Sequence, residues 1–431
     1  MTDNRRLPSV QRIAIFLAFI CHQLSFRRSL LIMVLRDLIR SPLALSLYLP
    51  SLIYAFSVSM LLPVMPLYAS SFKVSYGLIG LLLAGQAIGY LLGDIPAGIL
   101  LQKFGGKQVM VAGIVGGLIG TVALFWASSM PEAMLYRVLG GISTALYNVA
   151  RHEYLSSAVI TENRGRSIAL YGGVFRMGRL VGPTAGAFIA GAFGLRVPFL
   201  VVGMAMGIAL VAVLRYMPTL EVTRAPDSAF TGLYRVLREN RYNFLTAGMG
   251  QIFVQTVRAG REAIVPLYAA DVLGLDVELI GLLQSIESAL DVLMFYPAGI
   301  VMDGFGRKFA IVPSFIFQSL GMALIPLTSS FFGLAVLVGM MGFANGLSAG
   351  TMMTIGSDLA PQETRGQFLG VWRLIGDIGA SGGPLMVGWV AGLLTLQASA
   401  LVIAGSGVLA ASIFAFRVPE TLRKSEPPAP T

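Results

Sequence analysis

The sequence predicts an all-α integral membrane protein: twelve transmembrane helices in two six-helix bundles, related by a pseudo-two-fold axis along the membrane normal. Three observations predict it. Apolar residues make up 56% of the 431-residue chain and charged residues only 12%, about half the charge of a soluble domain. Apolar runs of spanning length recur throughout, with basic residues concentrated in alternate connections. The second half also repeats the first in a fixed register.

A helix needs roughly 20 apolar residues to cross about 30 Å of hydrocarbon. Windows of that kind, bounded by Gly, Pro, Asn or charge, place spans in the first half at 43–69, 77–101, 108–128, 132–158, 166–192 and 196–216. In the second half they fall at 243–269, 277–301, 309–328, 331–358, 366–392 and 396–416. The expected domains are an N-terminal extension (1–42), a first bundle (43–216), a linker (217–242), a second bundle (243–416) and a tail (417–431). The 50 glycines and 21 prolines suit such helices, which tolerate both and use glycine for close packing.

Lys and Arg set the orientation. One set of loops holds Lys103, Lys107, Arg164, Arg166, Arg224, Arg235, Arg238, Arg241, Arg307, Lys308 and Arg365, whereas the opposite set holds little beyond Lys73. Arg5, Arg6, Arg12, Arg27, Arg28, Arg36 and Arg40 precede the first span, and Arg417, Arg423 and Lys424 follow the last. The positive-inside rule then places both termini and the linker in the cytoplasm of a bacterial inner-membrane protein. The net charge of +10 is accounted for by this alternation, so nucleic acid is not an expected partner. Within the extension, Ile13–Cys21 is too short to span. It reads either as a helix on the cytoplasmic face or as sequence upstream of a start at Met33, and the second is favoured.

One cysteine, Cys21, and two histidines, His22 and His152, leave no spacing for a Cys- or His-based metal site. No nucleophile–base pattern or phosphate loop stands out, so an enzyme is not expected.

The internal repeat is the most informative signal. Leu78-Ile-Gly-Leu-Leu82 returns as Leu279-Ile-Gly-Leu-Leu283, Pro96-Ala-Gly-Ile99 as Pro297-Ala-Gly-Ile300, and Gly182-Pro183 as Gly383-Pro384, each 201 residues on. Pro66-Leu-Tyr-Ala69 returns as Pro266-Leu-Tyr-Ala269, 200 residues on. Six helices duplicated in parallel orientation would enclose a cavity between the two copies.

Over residues 40–418 the chain resembles the major facilitator superfamily. The loop pattern Gly-x-x-x-Asp-x-x-Gly-Arg-Lys stands in full at Gly299, Asp303, Gly306, Arg307 and Lys308. Its first-half copy runs Gly98, Gln102, Lys103, Gly105 and Lys107, with Gln102 where the family has Asp. Arg137 and Gly141 resemble the Arg-x-x-x-Gly pattern of the fourth span. Gly178-x-x-x-Gly182-Pro183-x-x-Gly186 is similar to the motif of the drug–proton antiporters, and Gly383-Pro384 repeats part of it. The glycines Gly98 and Gly299 are expected to let the bundles approach each other, the loop residues to gate the cytoplasmic face, and the Gly-Pro pairs to permit bends.

Charged residues at membrane depth mark pathways or ion pairs. At 1.5 Å per residue, Arg176, Arg179, Glu287 and Asp291 lie near the midplane of the fifth and eighth spans, and Asp94 and Arg373 in the inner half of the second and eleventh. The resemblance makes those spans face each other, which implies the inter-bundle pairs Arg176–Asp291, Arg179–Glu287 and Asp94–Arg373. Local pairing of Arg258 with Glu262 and of Arg373 with Asp377, at i,i+4 spacing, is the alternative. Arg137, Arg176, Arg179, Arg258, Arg261, Glu287, Asp291, Arg373 and Asp377 are thus the candidates for substrate contact or proton coupling. Arg151, His152 and Glu153 are expected at the cytoplasmic interface.

The resemblance implies a secondary transporter that works by alternating access, with proton-coupled export of amphipathic, drug-like compounds as the leading expectation. Uptake or exchange of a small organic anion is the second, motivated by the interior arginines. A non-transporting receptor or assembly factor on the same fold is the third. No cofactor beyond the coupling proton is expected. The expected partners are the bilayer and a small molecule, and the expected state is a monomer.

Overall fold

The computed structural model describes residues 44–158, 164–218 and 231–422. The first half contains α1 (Ala44–Ser71), α2 (Tyr76–Phe104), α3 (Gly106–Trp126), α4 (Met130–Ala158), α5 (Arg164–Phe193) and α6 (Val197–Tyr216). A short helix, α7 (Thr231–Glu239), follows within the linker. The second half contains α8 (Met249–Asp271), α9 (Val277–Gly304), α10 (Arg307–Leu327), α11 (Phe331–Leu347), α12 (Thr351–Leu359), α13 (Arg365–Leu393) and α14 (Leu396–Phe416). Each span expected from the sequence coincides with one of these helices or, at 331–358, with the pair α11 and α12. Cys21, the alternative start at Met33, Arg224 and Lys424 lie outside the described residues.

Among the described residues, nine helices are long and apolar enough to cross a membrane. The long helices outside that set are α4, α5 and α8, which carry Arg137, Arg176, Arg179, Arg258, Arg261 and Glu262. Their polarity has a structural cause, since these side chains are turned inward. Large apolar side chains such as Ile119, Met204, Val211 and Phe332 are exposed on the outside of the molecule, as a lipid-facing surface requires.

The neighbours of each helix repeat between halves. In the first half α1 packs on α5 and α6, α4 on α2 and α3, and α3 on α6. In the second half α8 packs on α13 and α14, α11 on α9 and α10, and α10 on α14. Two seams join the halves, α2 against α13 and α5 against α9. These are the helix pairs expected to face each other.

The glycines of the Gly-Pro motifs also pack helices closely together. A Cβ on Gly178, Gly182 or Gly186 would collide with Ala55, Phe56, Ser59 or Met60 of α1, and one on Gly383 with Gly260 and Thr256 of α8. The glycines are therefore the close-packing face of α5 on α1 and of α13 on α8, and the stripe repeats because the packing does. Pro183 and Pro384 sit inside uninterrupted helices.

Span 331–358, expected to be continuous, is broken at Ser348–Gly350, where Gly350 takes a positive φ of 79° that a side chain would strain. Membrane-depth backbone can leave the helix only where protein groups satisfy it. Here Arg258 supplies a bond to the Ser348 carbonyl at 3.4 Å.

Candidate functional site

The seams are not uniform along their length. Where α2 begins and α5 finishes, the halves touch through backbone. A Cβ on Gly80 would lie 2.5 Å from the Pro384 carbonyl and 2.8 Å from Gly388 Cα, and one on Gly281 would strike Ala187 and the Pro183 carbonyl. Tyr76 adds a 2.8 Å hydrogen bond to Asp271 across the same end. At the opposite end Gly98 and Gly299 have nothing within 4 Å of a Cβ position. The expectation that these two glycines bring the halves together is corrected: their end stands apart, and Gly80, Gly281 and Gly388 make the close approach.

The loop residues expected as an inter-bundle gate also stay within their own halves. Arg307 bonds Asp303 at 3.1 Å and Asp358 at 3.2 Å, Lys308 reaches the Ala415 carbonyl at 2.9 Å, and Lys107 the Leu214 carbonyl at 3.2 Å. Lys103 lies over the ring of its neighbour Phe104, the residue before it on the same helix being Gln102. Gly105 and Gly306, with φ of 84° and 121°, make the turns between helices. With the halves parted at this end, these groups find partners only locally.

Between the two ends lies a polar network. Arg176 pairs with Asp291 at 2.5 Å and stacks on Phe295, and Arg373 pairs with Asp94 at 2.9 Å. Both are the expected inter-half pairs. The third expectation, Arg179 with Glu287, is corrected. Arg179 pairs with Glu262 at 2.8 Å, and Glu287 is held by Arg261 at 2.6 Å. Consecutive residues on a helix point about 100° apart. Arg261 is therefore aimed into the second half, where it is 3% exposed, and Glu262 is aimed across the seam at α5.

The local alternatives also fail. Arg258 bonds neutral groups, Asn345 Oδ1 at 3.0 Å and Ser348 Oγ at 3.1 Å, and not Glu262. Arg373 takes Asp94 and not Asp377, whose buried Oδ2 has no hydrogen-bond partner. Asp377 lies within electrostatic reach of both Asp94 and Arg373, so a second carboxylate stands beside the Asp94–Arg373 pair. Arg151 is buried against Tyr147 and bonds His152 Nε2 at 3.2 Å.

Residues that charge-based reading missed complete the network. Asn345 Nδ2 donates to Asp291 at 2.7 Å, Gln318 accepts from Arg261 at 3.1 Å, and Ser314 donates to Ser348 at 2.8 Å. Their signal in the sequence was a neutral amide or hydroxyl within an apolar span, which is weaker than a charge.

Beside the network is a cavity of about 330 Å³. Its walls come chiefly from α1, α2, α3 and α4, and it is closed by Arg179 of α5, Met206 of α6, Ala259 and Glu262 of α8 and Pro384 of α13. Leu62, Met65, Leu83 and Leu124 give it an apolar body, with Gln86, Tyr90, Tyr136, Arg137 and Thr144 as polar points. Gln86 Nε2 donates to the Tyr90 hydroxyl at 2.8 Å. Arg137 is packed along its aliphatic stem against Gly85, where a Cβ would lie 3.2 Å from Arg137 Cγ. The arrangement is a chamber between two lobes, apolar with a few oriented polar groups, the form of a small-molecule site.

Comparisons with known proteins agree with this form. The profile of the Major Facilitator Superfamily matches residues 47–260 and 248–431. An MFS-type transporter of Methanocaldococcus jannaschii is 22% identical over 344 residues, 78% of this chain and 88% of that protein. Multidrug resistance protein 2 of Bacillus subtilis is 31% identical over 163 residues, 36% of this chain and 38% of that protein. The crystal structure of a D-xylose–proton symporter superposes with a TM-score of 0.67 at 18% identity, covering 87% of this chain and 97% of that one.

Proposed function

Because this chain belongs to the Major Facilitator Superfamily, we propose that it is a secondary active transporter of twelve spans in two six-helix bundles, exporting amphipathic small molecules in exchange for protons. The observation that carries this reading is the unequal seam. Backbone contact closes the seams at Gly80–Gly388 and Gly281–Ala187, whereas Gly98 and Gly299 at the other end have open space beside them. With both termini cytoplasmic, as the basic loops require, the sealed end faces outward and the chamber opens to the cytoplasm. Rocking about the Arg176–Asp291 and Arg373–Asp94 pairs would exchange the two openings.

Coupling to protons is supported by Asp94, Arg373 and Asp377. Two carboxylates with one guanidinium carry an excess negative charge at membrane depth, where an unpaired charge is costly and a proton removes it. Export of drug-like molecules is supported by the apolar chamber and by the likeness to a multidrug resistance protein.

The test is the full chain in proteoliposomes loaded with a pH-sensitive dye and challenged with a panel of amphipathic cations and anions. The expected result is proton movement that depends on substrate, with substrate movement that stops when a protonophore collapses the gradient. Substrate movement indifferent to the gradient removes proton coupling. No movement of any panel member removes transport and leaves the receptor reading.

A further inference from the structure

We infer that the molecule received in the chamber carries an acidic group, bound by Arg137 with the help of Tyr90. This rests on the transport reading above and specifies its substrate. Arg137 differs from the other charged partners of the interior network. Arg176, Arg179, Arg261 and Arg373 each face a carboxylate, and Arg258 is bonded to Asn345 and Ser348. Among the described residues, Arg137 has no ion-pair partner, and its buried Nε makes no hydrogen bond. Arg137 nevertheless lines the chamber, where the other cation, Arg179, is already neutralised by Glu262. Among the described residues, the chamber lining therefore holds one guanidinium with no carboxylate bonded to it.

An unpaired charge kept out of bulk water is costly unless something neutralises it. Among the described residues no carboxylate bonds it, and the chamber is where a ligand can. The guanidinium fork fits a carboxylate bidentately. Gly85 of α2 packs on the stem of Arg137 and holds the fork in place. Tyr90 lies one turn and a residue further along α2, with its hydroxyl fixed by Gln86. In the same chamber, Leu62, Met65 and Leu83 offer a surface for a hydrocarbon or aromatic body. Together they describe an amphipathic organic acid with a compact apolar body.

The duplication sharpens the contrast. The residue 201 positions after Arg137 is Val338, so the charge is not part of the common six-helix framework.

Three labelled probes of one shape decide the matter: 4-phenylbutyrate, its neutral amide 4-phenylbutanamide, and the cation 4-phenylbutylamine. Binding to the purified full chain and counterflow in proteoliposomes are both measured. We expect the carboxylate to bind about tenfold tighter than the amide, the size of one charge-assisted contact, and the amine to bind weakest. Arg137→Gln should abolish that preference, whereas Arg137→Lys should keep part of it. If Arg137→Gln does not fold, as judged by its melting curve, Arg137→Lys and Tyr90→Phe give the same reading, each lowering carboxylate affinity and sparing the amide. The inference is overturned if the amine binds as well as the acid, if none of the three binds, or if the variants leave the preference intact. Carboxylate binding without counterflow or proton movement supports the acid site and removes the transport reading. Counterflow of the amine alone with proton movement does the reverse.

Discussion

In the second half, Arg258, Arg261 and Gln318 fill the space between α8, α9, α10 and α11. The matching positions in the first half, 200 or 201 residues earlier, are Val58, Leu61 and Gly117, all of which line the cavity. Glu287 and Asp291 likewise answer to Gln86 and Tyr90. Two copies of one helix arrangement thus have opposite interiors. One is filled by long side chains bonded to one another, and the other keeps short or apolar groups and leaves a chamber. The difference shows how a repeated framework can divide its work, with a polar block filling one half and the cavity lying chiefly in the other.

The largest expected effect comes from breaking the block. Glu287→Gln leaves Arg261 buried without its carboxylate, and loss of one member of such a pair destabilises by about 3–5 kcal/mol. Thermal melting in detergent should fall sharply, whereas Gln86→Ala, at the matching first-half position, should change it little. Equal effects would contradict the contrast.

The pairs that join the two halves come next. Reversing Arg176 or Asp291 singly should abolish transport, and reversing both should restore most of it, with a coupling of about 1–3 kcal/mol. A double variant no better than the singles would remove Arg176–Asp291 from the hinge of the motion.

Filling the receptacle is a smaller perturbation. A Cβ on Gly117 meets only Ser143 and Met206, at 3.8 and 3.9 Å. Gly117→Gln, which copies the second-half residue Gln318, should therefore fold normally and lower transport about tenfold, or about 1.4 kcal/mol, by occupying the chamber. Wild-type transport rates in a folded Gly117→Gln protein would show that the cargo does not use this space.

The smallest effect concerns the end of the second half. Glu420 accepts hydrogen bonds from the backbone N–H groups of Arg307 and Lys308, at 2.9 and 3.0 Å, and so ties the tail to the start of α10. Burial raises its pKa, but the backbone donors of Leu422, Lys308, Arg307 and Thr421 outweigh that and hold it below the ordinary 4.5. A carboxyl with a depressed folded pKa stabilises fully above its unfolded value and loses that contribution as pH falls through the folded one. At this half-exposed site the contribution is at most about 1 kcal/mol. The melting difference between wild type and Glu420→Gln should be constant from pH 7 to about 5 and vanish on further acidification. A difference that persists in acid would point to packing instead of charge.

Much of the fold was legible in the sequence, because the bilayer restricts the options. Backbone groups in lipid must bond within their own helix, so a run such as Val197–Tyr216 has one available structure. The Arg176–Asp291 and Arg373–Asp94 pairs were legible because the family resemblance placed their helices opposite each other. The Arg179–Glu262 pair, the packing role of Gly178 and Gly182, the break at Ser348–Gly350 and the open end at Gly98 were not. Each depends on the rotation of a helix about its axis or on which end of a seam is closed. Neither quantity is encoded in residue type and spacing alone.

The sequence by itself determined the membrane setting, the helical class, the duplicated order of elements and the charges available at depth, since all follow from local composition and register. Only the tertiary structure decided which charge meets which partner, that Arg137 meets none among the described residues, and that the cavity lies chiefly in the first half. Those outcomes depend on side-chain direction over a few ångströms, where one residue along a helix turns the side chain by about 100°.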